Sequence, residues 1–273
     1  MGKYLRRLGA VMVLCLTIGA LAATAANACS SSTFRNGCSG GFNGCNDHDN
    51  YYDGYVLSPP ADTGVSCPNG VDNGIWINNP SIGSGTTNSD FSVAWNGLVK
   101  FYTGGWILAQ IGYEKDGTNG GTRYNFSELV DNNSLLQRAI STSAPALNTT
   151  QDYKTTYSGG AFHTLQNGLD FSDWPYTSNG IGNSTCFTVE GFGEISSYVN
   201  QMPGTVDNLE SIAGLQIRGG TNWIDESGQL AFISMQNSST SGTHSLSVFK
   251  HQINNDGHGT YWGNLWDTCG AGS

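Results

Sequence analysis

Between Trp106 and Glu114 two sets of side chains interleave with a period of two, and this stretch limits the possible folds more than any other. Ile107, Ala109, Ile111 and Tyr113 form one set; Trp106, Leu108, Gln110, Gly112 and Glu114 form the other. Successive side chains of a strand point to opposite faces, so the segment reads as β. Apolar residues in both sets predict a central strand with one face on the core and the other lining a groove. Gln110 then sits in the groove. Phe91-Ser92-Val93-Ala94-Trp95 places its apolar side chains at odd positions and predicts a second strand with one buried face.

Further strands are expected at 123–126, 153–157, 161–165, 187–195, 215–218, 230–235 and 245–251. Turn signals separate them: Asp116-Gly117, Ser158-Gly159-Gly160, Asn167-Gly168, Pro203-Gly204 and Gly219-Gly220. Ser158-Gly159-Gly160 between two apolar runs is a hairpin signal. The chain has no long helical periodicity, and its 38 glycines and 12% charged residues suit a sandwich with many turns. The expectation is an all-β fold of two packed antiparallel sheets. The 106–114 strand should be central and the 187–195 strand next to it or nearly so.

The first residues read as a leader. Lys3, Arg6 and Arg7 precede an apolar run from Leu8 to Ala22, and Ala26-Asn27-Ala28 supplies a small-residue cleavage site. The run is short for a spanning helix. Residues 1–28 are therefore expected to be a signal peptide and the mature protein to be secreted, with no membrane association after cleavage. Seven cysteines include Cys15 in the leader, leaving Cys29, Cys38, Cys45, Cys67, Cys186 and Cys269. An even number in an exported chain reads as disulfides, and Cys186 or Cys269 is expected to tie the body to itself or to the N-terminal segment. The chain divides into a Cys/Gly-rich, loop-dominated segment over 29–75, a sandwich core over 76–218, and strands over 219–273 that complete or extend the sandwich.

Losing the leader removes three of eleven basic residues and none of twenty-one acidic ones, which moves the formal charge from −10 to −13. This excludes nucleic acid as a natural partner and disfavours an anionic membrane surface. The chain carries no G-x-S-x-G, H-E-x-x-H, P-loop or dinucleotide fingerprint. His48, His163, His244, His251 and His258 are scattered. Asp47-His48-Asp49 with Asp53 offers oxygen ligands but lacks the EF-hand spacing, and the cysteines lack a paired C-x-x-C. No cofactor or metal is expected.

Two short segments carry a resemblance. Ala109-Gln110-Ile111-Gly112-Tyr113-Glu114 resembles the strand that bears the catalytic glutamine of eqolisin-type glutamic peptidases. Glu190-Gly191-Phe192-Gly193-Glu194, followed by Gln201-Met202-Pro203-Gly204, resembles the second catalytic segment of neprosin-type glutamic peptidases. The order of strands over 153–218 is also similar to that of exported actinobacterial proteins. The resemblance covers roughly 91–218 and implies a concanavalin-like β-sandwich, or jelly roll, stapled by disulfides. It also implies a hydrolase with Gln110 and Glu194 as its catalytic pair and Trp106, Tyr113, Glu114 and Phe192 around the substrate. The pair mixes two patterns: Cys186 falls where the eqolisin glutamate would stand, and neprosins carry Glu in place of Gln110.

Such a pair has a coherent chemistry. A carboxylate acts as base toward water and then as acid toward the leaving amine, while a carboxamide holds the water and donates to the oxyanion. Acid pH would suit it. A jelly-roll glycosidase is a second possibility, because Val189-Glu190-Gly191-Phe192 loosely resembles a catalytic segment of family-eleven-type xylanases. Glu190 and Glu194, however, stand about 13 Å apart along one strand, beyond the 5 to 9.5 Å that paired carboxyls need. A third is a carbohydrate-binding module stacking sugars on Trp95, Trp106, Trp174, Trp223, Tyr113 or Tyr176. The expected partner is a polypeptide or polysaccharide.

Overall fold

The computed structural model describes residues 51–56, 65, 67–80, 82, 91–117, 121–132, 134–195, 203–204, 209–225, 232–236, 249–255 and 261–267. The leader, Cys29, Cys38, Cys45, Cys269, Asp47-His48-Asp49 and Gln201-Met202 lie outside the described residues. For Phe192 and Glu194 only the backbone is described.

Among the described residues none is helical. The described residues form fifteen strands, in the order β1 (Tyr51–Val56), β2 (Pro68–Trp76), β3 (Phe91–Tyr102), β4 (Gly105–Asp116), β5 (Arg123–Asp131), β6 (Ser134–Ile140), β7 (Thr150–Ser158) and β8 (Ala161–Gln166). There follow β9 (Leu169–Pro175), β10 (Thr188–Ile195), β11 (Glu210–Gly219), β12 (Asn222–Asp225), β13 (Phe232–Gln236), β14 (Phe249–Asn255) and β15 (Tyr261–Asp267). One sheet has seven strands in the order β13-β1-β10-β3-β4-β5-β6. The other has eight, β14-β15-β11-β2-β7-β8-β9, with β12 also paired to β11.

The expected strand over 106–114 is β4, in the interior of its sheet, and the strand over 187–195 is β10, separated from it by β3 alone. Ile107, Ala109, Ile111 and Tyr113 are fully buried. They meet Val71 and Ile75 of β2, Tyr153 and Tyr157 of β7, and Ile212, Leu215 and Ile217 of β11 in one core between the sheets. Asn96, a polar residue inside it, has both ends of its amide bonded, as burial requires. Asn96 Nδ2 donates to Asn73 Oδ1 (2.7 Å) and to the Tyr153 carbonyl (2.8 Å), and Thr155 Oγ1 donates to Asn96 Oδ1 (3.2 Å). This network spans the two sheets. A disulfide, Cys67–Cys186, does the same from the start of β2 to the approach to β10, joining positions 119 residues apart. Two of the two-residue hairpins carry positive φ at both loop residues, at Gly159 and Gly160 between β7 and β8 and at Asn167 and Gly168 between β8 and β9, as their turn signals predict.

The first strands come earlier than the sequence suggests. The segment over 29–75, expected to be loop-dominated, contributes β1 and almost all of β2, and β2 lies in mid-sheet between β11 and β7. Its sequence, PNGVDNGIW, is poor in strand formers, but its glycines fit a crowded place. A Cβ at Gly70 would stand 2.9 Å from Arg218 Cβ and 3.1 Å from the Trp223 ring. At the other end of the chain β13 flanks β1, and β14 and β15 extend the second sheet.

Candidate active site

With its odd-numbered residues in the core, β4 turns Leu108, Gln110, Gly112, Glu114 and Asp116 to the outer face of the seven-stranded sheet. Directly paired residues of neighbouring antiparallel strands share a face. Register therefore builds a row across this sheet. Gln110 pairs with Gly97 of β3 on one side and Glu128 of β5 on the other. Gly97 pairs in turn with Glu190 of β10, and Glu128 with Arg138 of β6. The row reads Glu190, Gly97, Gln110, Glu128, Arg138.

Gly97 is the gap in the row. A Cβ there would lie 2.5 Å from the Ala109 carbonyl oxygen and 3.2 Å from Gln110 Cβ, so the position stays without a side chain. Gln110 and Glu190 flank it from strands two apart, about 10 Å between backbones. Gln110 is buried; its Nε2 donates to Glu128 Oε2 (2.9 Å), while its Oε1 is buried without a hydrogen-bond partner. Glu190 is half-buried, and burial pushes its carboxyl up to about 7.

Beyond Gln110 the groups are heavily bonded. Arg138 donates from Nη1 to Glu128 Oε1 (2.6 Å) and from Nη2 to Glu114 Oε2 (3.1 Å) and Tyr124 Oη (2.9 Å). Tyr124 Oη lies 2.9 Å from Glu114 Oε1 and 2.5 Å from Asp116 Oδ2. Burial raises the Glu114 carboxyl to about 7, outweighing the attraction of Arg138. The Arg138 guanidinium also lies over the rings of Tyr124 (5.8 Å) and Phe126 (6.0 Å), which form a second apolar cluster with Val93 and Trp95.

The structure sorts the expected site residues. Gln110 and Glu114 lie on the same outer face. Trp106 is half-buried at the end of that face, opposite Phe101, and its backbone N–H donates to Asn132 Oδ1 (2.9 Å). Tyr113 does not border the groove: it belongs to the odd-numbered set of β4, is fully buried between the sheets, and its hydroxyl accepts from the Asn78 N–H (3.1 Å). Phe192 pairs with Trp95. Glu194 pairs with Val93, four residues along β3 from Gly97, which separates it from Gln110 by about 13 Å along the strands in addition to two strands across. Of the two glutamates of β10, the one in the row of Gln110 is Glu190. Glu128 and Arg138 had no motif to reveal them; the signal that could have found the row is the β3–β4 hairpin, whose closure at Tyr102 and Gly105 fixes Gly97 opposite Gln110.

The aromatic residues expected to stack sugars are mostly interior. Trp95, Trp174, Tyr113 and Tyr176 are buried. Trp106 and Trp223 are half-buried, and they stand on different sheets, so they make no common platform. Trp223 is flanked by Lys154 Nζ (5.0 Å) and the Arg218 guanidinium (5.9 Å). Among the described residues no group of three His, Cys, Asp or Glu could hold a metal ion.

The fold is a concanavalin-like antiparallel β-sandwich, a jelly roll stapled by a disulfide. Similar solved structures include scytalido-glutamic peptidase bound to a transition-state analogue inhibitor, at TM-score 0.49 and 10% identity, covering 82% of this chain and all of that one. A family 16 endo-glucanase from Bacteroides ovatus is similar at TM-score 0.33 and 10% identity over 55% of this chain and 68% of that one. A galectin from Caenorhabditis elegans is similar at TM-score 0.31 and 10% identity over 57% and 98%. No family model and no curated protein matches the chain. At these identities and scores the chemistry has to be argued from the chain's own residues.

Proposed function

We propose that this chain is a secreted hydrolase of the glutamic-peptidase type, acting on polypeptides, with Gln110 and Glu190 as its working pair. The observation that carries this is the row itself: a carboxamide with an unpartnered buried oxygen and a carboxyl of raised pKa, on either side of a position that has no side chain. A water above Gly97 would be held by Glu190, and by Gln110 Oε1 once local movement admits water to that buried oxygen. Ionised Glu190 takes a proton from it as the water oxygen attacks the peptide carbonyl carbon. The second N–H of Gln110 Nε2, the one not given to Glu128, donates to the developing oxyanion. Protonated Glu190 then delivers its proton to the departing amine as the C–N bond breaks.

Glu190 replaces Glu194, the partner that the resemblance implied, and its environment changes the expected pH range. A base with a pKa near 7 is mostly protonated in acid, so the rate rises with pH toward neutrality. The test is release of peptides from a denatured protein between pH 3 and 8 by the wild type, Glu190→Gln and Gln110→Ala. Release by the wild type and loss in both variants is expected. Reducing sugar from glycans without peptide release would favour a glycosidase, and retention on a polysaccharide without turnover would favour a carbohydrate-binding module.

A further inference from the structure

A glutamine can act as proposed only if its carboxamide faces the right way. Rotation by about 180° about the last bond exchanges oxygen and NH2, and the two orientations have nearly the same shape. In one, the oxygen can hold a water and an N–H can reach an oxyanion; in the other those roles are reversed. Nothing in β4 itself selects between them.

Glu128 supplies the selection. An ionised carboxylate accepts hydrogen bonds and cannot donate, so its Oε2, 2.9 Å from Gln110 Nε2, favours the amide with nitrogen toward β5 and oxygen away from it. The flipped amide would set two oxygens against each other at hydrogen-bond distance. Glu128 is itself held: its second oxygen takes the 2.6 Å bond from Arg138, and its side chain is only 12% exposed. Arg138 is tied in turn to Glu114 and Tyr124. Arg138 is itself exposed, like most of β6, and it reaches inward to the less exposed carboxyls of Glu128 and Glu114. Ion pairs made by a guanidinium as exposed as that of Arg138 contribute little to stability, so the cluster is a poor way to hold the fold together. Orienting a partner is a task that apolar residues cannot perform.

We propose that Glu128, clamped by Arg138, is a positioning residue that fixes which end of the Gln110 carboxamide faces the space above Gly97. This rests on the assignment of Gln110 to the working pair, but its physical content is testable apart from activity. Gln110→Glu identifies the Gln110 side-chain NH2 resonances of the 15N-labelled protein by their loss. In the wild type one of the two protons should be shifted downfield and slow to exchange with solvent. Glu128→Leu, and Glu128→Gln as an isosteric second variant, should abolish that difference while the fold is kept, as judged by the remaining amide resonances. In the peptide-release assay the same variants should lose about 10- to 100-fold in kcat with little change in KM, as misorientation without lost substrate contacts predicts. Arg138→Lys, which keeps a cation beside Glu128, should retain more kcat than Glu128→Leu. Gln110 resonances unchanged in both Glu128 variants would overturn the proposal, whether or not the wild type cleaves peptides. Altered resonances in a wild type that releases no peptide would keep the clamp and discard the peptidase.

Discussion

Gln110 and Glu190 are cross-strand partners of one residue, Gly97, which meets them from opposite sides. The two side chains that could share a water are thus separated by a position where any side chain would strike the neighbouring strand.

Register makes the two glutamates of β10 experimentally distinct. Glu190→Gln should lower peptide release by about 10² to 10⁴, the range for loss of a general acid–base. Glu194→Gln, four residues further along the strand, should retain most of it. Equal loss in both, measured as kcat/KM on one substrate, would reject the assignment of Glu190.

Stability should increase in acid. Burial raises Glu114 and Glu190 to about 7 from 4.5, and Asp72 to about 6 from 3.8. A carboxyl raised by folding binds its proton more tightly in the folded state. Its stabilising contribution is complete below the unfolded pKa and is lost as pH rises through the folded one. Denaturant midpoints should therefore fall between about pH 4 and 7, and Glu114→Gln or Glu190→Gln should flatten the fall. A midpoint that rises over the same range would contradict it.

Gly97→Ala should damage the fold and the site together. Its Cβ would meet the Ala109 carbonyl at 2.5 Å, backbone that cannot swing aside, and crowd Gln110 Cβ. Overpacking of this kind costs about 1–3 kcal/mol. Urea denaturation should show the loss, and peptide release should drop further than stability explains. Unchanged activity would mean that the space above Gly97 is not used.

Opening the Cys67–Cys186 bridge should destabilise the sandwich by about 2–5 kcal/mol, because it closes a loop of more than a hundred residues. Cys67→Ser and Cys186→Ser should show similar losses in urea, and the double variant no more than either one. Additive losses would indicate that each cysteine contributes through its own contacts.

The sequence by itself determined the fold class and the face on which Gln110 stands. The interleaved apolar sets of 106–114 carry both, because the alternation of side chains along a strand is local geometry, and Asn167-Gly168 and Ser158-Gly159-Gly160 mark their hairpins for an equally local reason. The row that meets Gln110 was decided by tertiary structure alone. Glu190 and Glu194 share one strand and one alternation, so nothing within β10 distinguishes them; the choice lies in the register of β10 against β3, fixed by packing of Val189 and Phe187 into the core and by the bridge at Cys186. Tyr113 shows the reverse case. Its place in the core follows from the same alternation that turns Gln110 outward, and the resemblance that set it beside the substrate gave way to that period of two. β2 was hidden because Gly70 and Gly74 make sense only against Arg218, Trp223 and Thr150, and Asn73 only against Asn96, residues that arrive from distant parts of the chain. Glu128 and Arg138 were hidden for the same physical reason: a hydrogen bond that orients a side chain across strands depends on register, and register is set by the assembled sheet rather than by any one strand's own residues.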